Sequence, residues 1–162
     1  MTQIITIIVL CLSAACASSQ QPGAVTQPQA KTISTADLAK LRWIEGSWRG
    51  TGDVDKPFYE RYRFKDDSTL LIESFDDASL SKVTETSVYS LKDGHFGNEG
   101  DDSRWVATAL DEKSITFEPV VKARNSFRFE RESDNVWIAT LNWPANEKSP
   151  AKQRIYRMER IK

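Results

Sequence analysis

The chain has 162 residues, 40% hydrophobic and 28% charged, with 22 basic against 23 acidic side chains and a formal charge of -1. That length supports one core of ordinary size and excludes two comfortable domains. The balanced charge excludes a generally basic nucleic-acid binder, and the apolar fraction excludes a wholly disordered chain.

The first thirty residues carry no charged side chain. Within them Ile4 to Leu12 (IITIIVLCL) is a short apolar run followed by Ser13-Ala14-Ala15-Cys16. A run of this length suits the core of a secretory signal and falls short of the roughly 20 residues of a spanning helix. Residues 1–15 are therefore expected to be a signal peptide, although no Lys or Arg precedes Ile4. Ser13-Ala14-Ala15-Cys16 resembles a bacterial lipoprotein lipobox, which implies acylation of Cys16 and membrane attachment. Ser13 stands where that motif usually has Leu, so ordinary cleavage after Ala17 is the alternative. Ala17 is not the Asp that resembles an inner-membrane retention signal, which implies an outer-membrane lipoprotein or a periplasmic protein. Residues 16–32, rich in Gln, Pro and Ser, read as a flexible tether.

Cys11 and Cys16 are the only cysteines. The folded part, expected over 33–162, therefore has no disulfide and no thiol nucleophile, and its stability must come from its core.

Ile33-Ser34-Thr35-Ala36-Asp37-Leu38 predicts a helix start, with Ser34 as cap and Asp37 in the first turn. Leu38 and Leu41 continue its apolar stripe until Gly46. From there the hydrophobic period is two. Strands are predicted over 47–54, 58–65, 69–75, 83–91, 104–110, 114–118, 126–131, 136–143 and 154–161. Asp66-Asp67-Ser68, Asp93-Gly94, Asp111-Glu112-Lys113 and Ser133-Asp134-Asn135 mark turns between them. Nine or ten short strands with brief connections predict an all-β, antiparallel up-and-down barrel that hides its own edges. Alternation places Phe58, Glu60, Tyr62 and Phe64 on one face, and Trp137, Ala139, Leu141 and Trp143 on another. Val136 and Ile138 make the reverse of that last strand partly apolar, so a helix cover is expected there.

The stretch Leu41-Arg42-Trp43-Ile44-Glu45-Gly46-Ser47-Trp48 resembles the opening of lipocalin-like and nitrobindin-like barrels. Its form is similar to an uncharacterised family of bacterial lipocalin-like domains, often exported. The resemblance extends loosely over 38–162 through Glu60, Glu85, Phe117-Glu118-Pro119 and Arg154-Ile155-Tyr156-Arg157-Met158. It implies that Trp43 and Trp48 pack across a closed end. The chain lacks that family's Phe-Glu-Asn-Pro and His-Asp-Phe-Pro segments, so nothing that rests on them is expected here. Nitrobindin-like haem binding needs a His near the C-terminus, and residues 144–162 have none. The single His95 falls in the predicted turn Asp93-Gly94-His95-Phe96-Gly97. One His without Cys cannot build a His-rich zinc site. The acidic Asn98-Glu99-Gly100-Asp101-Asp102 lacks EF-hand spacing. No cofactor, metal or catalytic residue is assigned.

Glu60, Glu73 and Glu85 share strand faces with aromatic or apolar residues. If they point inward, each needs a partner, and Arg104, Arg154 and Arg157 are the candidates. The leading expectation is a barrel holding a small apolar or amphipathic ligand among Trp48, Tyr62, Tyr89, Trp105 and Trp137, with Glu60 or Glu85 at its polar end. The alternative is a cell-envelope interaction protein whose barrel is filled.

Overall fold

The computed structural model describes residues 32–52, 56–100 and 103–162. The expected signal peptide, Cys16 and all of the expected tether except Thr32 lie outside the described residues. So do Asp101 and Asp102 of the acidic stretch.

A single helical turn, α1 (Thr35–Leu38), runs into a 3-10 segment (Ala39–Ile44). The predicted cap is present: the Ser34 hydroxyl accepts from the Asp37 amide at 3.2 Å, and the Asp37 carboxylate accepts from the Ser34 amide at 3.1 Å. The two interactions satisfy first-turn amides that otherwise have no partner. Ten strands follow: β1 (Gly46–Thr51), β2 (Phe58–Phe64), β3 (Thr69–Phe75), β4 (Val83–Lys92), β5 (His95–Asn98), β6 (Arg104–Leu110), β7 (Ser114–Val121), β8 (Ser126–Ser133), β9 (Val136–Trp143) and β10 (Lys152–Arg160). Every neighbouring pair is antiparallel, and β10 returns to β1, so the sheet closes as the expected up-and-down barrel.

The turns form where short polar side chains can substitute for backbone partners. Asp66 accepts from the Ser68 amide at 2.8 Å, and Asp111 accepts from the amides of Lys113 and Ser114, each at 2.8 Å. The tenth strand, β5, lies in the segment expected to be a turn. His95 opens it, and Asp93-Gly94 alone makes the reversal. Where β5 meets β6, one backbone pairing, Gly97 with Val106, is supplemented by a side chain: Asn98 accepts from the Trp105 amide at 2.7 Å and donates to the Ser103 carbonyl at 2.8 Å.

A helix cover is expected over the apolar reverse face of β9, but the helical segment does not lie there. Ile33, Leu38, Leu41 and Ile44 are buried together with Trp48, and Trp43 meets Trp137 edge-on at 6.3 Å inside the barrel. The segment plugs one end instead. Val136 and Ile138 remain partly exposed.

Candidate functional site: the open half of the barrel

The plug divides the interior. At the sealed end Trp48 is wholly buried, donates its Nε1–H to the Ile44 carbonyl at 2.7 Å, and lies 4.1 Å beneath the Arg160 guanidinium. Arg160 donates to the Glu45 carbonyl at 2.7 Å, the Trp43 carbonyl at 3.2 Å and the Asp134 carbonyl at 2.9 Å. One side chain thus ties the last strand to the helical plug and to the β8–β9 turn. Gly46 has a φ of +129°, and a Cβ there would lie 2.1 Å from the Arg160 Nη1, so this position needs glycine. Trp48, expected both to pack across a closed end and to line a ligand site, packs against the plug and does not line the barrel's open cavity.

Above the floor formed by Trp137, the barrel holds a cavity of about 490 Å³ that opens to solvent. This lies in the range of small-molecule sites. One wall is polar. The pairing register sets Glu60, Ser74 and Glu85 in one row across β2, β3 and β4, with Tyr62, Ile72 and Ser87 in the next row toward the floor. The opposite wall is aromatic: Phe127 stacks on Phe117 at 4.7 Å, Trp105 meets Phe127 at 5.8 Å, and Phe129 meets Trp137 at 4.8 Å. Trp105 is held by its Nε1–H, which donates to the Asn125 carbonyl at 2.7 Å.

The third side depends on an absence of side chain. A Cβ on Gly50 would lie 2.2 Å from the Phe58 ring, which crosses the strand there and meets Tyr156 edge-on at 5.3 Å. Glycine at this position leaves room for an aromatic pair to enter the cavity.

Electrostatics concentrate on Glu60. Its carboxylate accepts from the Tyr62 hydroxyl at 2.6 Å and makes no ion pair with a described Lys or Arg. Burial pushes its carboxyl above the ordinary range, the Tyr62 hydrogen bond opposes that, and the Glu85 carboxylate adds to it. Burial and the Glu60 charge hold the Tyr62 hydroxyl far above its usual range, and Tyr89 is shifted upward for the same reasons. Both phenols stay protonated through the neutral range.

Of the seven residues expected at the site, Glu60, Tyr62, Glu85, Tyr89, Trp105 and Trp137 line the cavity, and Trp48 does not. Glu73 lies outside the barrel, where Arg63 and Arg61 reach it at 3.2 and 3.8 Å. None of the expected arginine partners pairs with Glu60. Arg157 is outside, bound to Glu132 at 2.7 Å; Arg104 is exposed; Arg154 donates to the Tyr156 hydroxyl at 3.2 Å, at the rim. Phe58, Trp143 and Tyr156 also line the cavity and are not among the expected site residues, although Phe58 shares the alternating face of Glu60 and Trp143 that of Trp137. A wider groove of about 1310 Å³ lies beside the mouth along the Pro144–Lys152 loop, with Arg124, Lys148 and Lys152 on its sides. It shares Trp143 with the cavity but contains none of its buried polar groups.

No protein-family model and no curated protein match the chain. Among solved structures it is similar to a protein of unknown function from the DUF3598 family of Nostoc punctiforme, with a TM-score of 0.50 and 12% identity over 85% of this chain and 53% of that one. The chain thus spans about half the length of that protein. It is also similar to a barrel solved bound to DFHBI (TM-score 0.40, 10% identity, 79% of this chain and 100% of that one). A redesigned β barrel matches at a TM-score of 0.36 and 8% identity, over 82% of this chain and 100% of that one. At these identities the likeness concerns the fold alone.

Proposed function

We propose that the chain is an exported, lipid-anchored barrel of the bacterial cell envelope that binds a small apolar or amphipathic molecule. The binding part is carried by one observation: the half of the barrel beyond the Trp137 floor is an open, aromatic-walled cavity, not a packed core. A barrel filled throughout, the alternative for an interaction protein, fits the plugged half and fails to account for the other. Aromatic walls supply most of the affinity of such a site, and the few polar groups orient the guest. Export and anchoring rest on the apolar run Ile4 to Leu12 and on the small residues before Cys16. Acyl chains contribute about 0.8 kcal/mol per buried methylene, so several on Cys16 would hold the barrel at a membrane surface.

The test is native mass spectrometry of the protein recovered from its own membrane. The reading predicts an acyl mass on Cys16 and a retained small molecule. A chain beginning at Ser18 or later and carrying no lipid would overturn the anchoring. A chain that binds no member of a panel of apolar and amphipathic probes would overturn the binding.

A further inference from the structure

The cavity's charge is one-sided. Two carboxylates, Glu60 and Glu85, line it, and among the described residues no Lys or Arg does. Their strands are separated by β3, so the two backbones stand about 10 Å apart, and both side chains project into the same void with Ser74 between them. Glu60 is the less exposed of the two, and its one hydrogen bond from Tyr62 leaves its charge without a counterion. An enclosed carboxylate in this state is expensive unless something positive approaches it. Arg154, at the rim, does not line the cavity and donates to the Tyr156 hydroxyl. Across the void stand aromatic faces, which attract cations through their quadrupoles.

We propose that the cavity selects a cationic amphipath: an apolar or aromatic body seated against Trp105, Phe127 and Phe129, with an amine or guanidinium group between Glu60 and Glu85. This rests on the binding reading above and adds the sign of the guest's charge. An anionic guest would have to bring its charge to the same wall, against two carboxylates. The groove outside the mouth offers such a guest Arg124, Lys148, Lys152 and Arg154, beside a single carboxylate, Glu147. A neutral guest would gain the aromatic contacts alone. The carboxylate wall would therefore favour the cation over a neutral molecule of the same shape by about tenfold or more.

Calorimetry with three probes sharing one naphthalene body tests this: 1-naphthylmethylamine, 1-naphthalenemethanol and 1-naphthoic acid. The full chain is used, together with Glu60→Gln, Glu85→Gln and the double variant. Glu73→Gln, on the outer face, serves as control. The expected result is at least tenfold tighter binding of the amine than of the alcohol. The preference should fall in each single variant, vanish in the double one and persist in Glu73→Gln, while alcohol affinity changes less than twofold throughout. Equal binding of amine and alcohol, tighter binding of the acid, or a preference that survives the double substitution overturns the cationic assignment and leaves the cavity reading standing. Failure of all three probes to bind overturns both. Glutamine keeps an acceptor for the Tyr62 hydroxyl, and an unchanged alcohol affinity shows that each variant retains the folded cavity.

Discussion

The two halves of the barrel use aromatic side chains for opposite ends. In the sealed half, Trp48 and Trp137 are almost wholly buried, and neighbouring rings and the Arg160 guanidinium fill the space around them. In the open half, Trp105, Trp143 and Tyr156 are only partly buried and face a void. The same residue types therefore stabilise the protein at one end and leave surface unburied at the other. Buried area stabilises at roughly 25 cal/mol per Å², so the exposed half forgoes a contribution that a guest would restore. The lesson is that the interior of a small barrel is not one environment. The position of a plug along its axis decides which rings are core and which are site.

The largest effect that could break this contrast is expected at Trp48. Trp48→Ala removes a fully packed ring and should cost about 3–5 kcal/mol, read as a lowered urea midpoint. Trp143→Ala, in the open half, should cost about 1 kcal/mol or less. Equal losses would show that the two ends are packed alike.

Next comes the tie across the plug. Arg160→Ala leaves three carbonyls without their donor and uncovers Trp48, for an expected loss of about 2–4 kcal/mol. Arg160→Lys should recover less than half of it, since an ammonium cannot fork to Glu45 and Trp43 while lying over a ring. Full recovery would mean that only charge matters there.

Gly50→Val sharpens the same contrast from the open side. The added side chain must displace the Phe58 ring, with an expected cost of about 1–3 kcal/mol and a smaller cavity. Probe binding should weaken at least tenfold, whereas an unchanged affinity would place the guest elsewhere.

The smallest effect is one of pH. Glu60 is faced by Tyr62 from its own strand and by Glu85 and Tyr89 from β4, with Arg154 donating to the Tyr156 hydroxyl at the rim. Its carboxyl lies above the ordinary Glu value, so the folded protein holds that proton more tightly than the unfolded chain does. Stability from this group is present at low pH and is lost as pH rises from the ordinary Glu range through the folded value. Glu60→Gln removes that loss. Its melting temperature should exceed the parent's at pH 8 and match or fall below it at pH 4. The same difference at both pH values would contradict the assignment.

Much of the barrel was legible because its period is two. Phe58-Tyr59-Glu60-Arg61-Tyr62 alternates cleanly enough to point Glu60 and Tyr62 inward, and Ser126 to Glu130 does the same for Phe127 and Phe129. Alternation gives the face of the sheet and not the depth along the axis, so it points Trp48 inward without separating the closed end from the cavity. Glu73 misled for another reason. Its neighbours Leu71 and Phe75 are apolar but lie on the outer face, where the Arg61 guanidinium covers Phe75 at 4.8 Å. The four residues of β5 are too short to show a period beside Asp93-Gly94. Arg160 carried no local signal at all, because two of its three acceptors lie 115 and 117 positions away in the chain.

The central claim is that one half of the barrel is hollow and built to enclose a guest. A crystal structure of the protein purified from its native source is the decisive check. The account predicts non-protein density between the Glu60–Glu85 row and the Trp105–Phe127 wall, above a floor of Trp137. Side chains of Trp105, Trp143 and Tyr156 collapsed across that space, leaving no void, would contradict it.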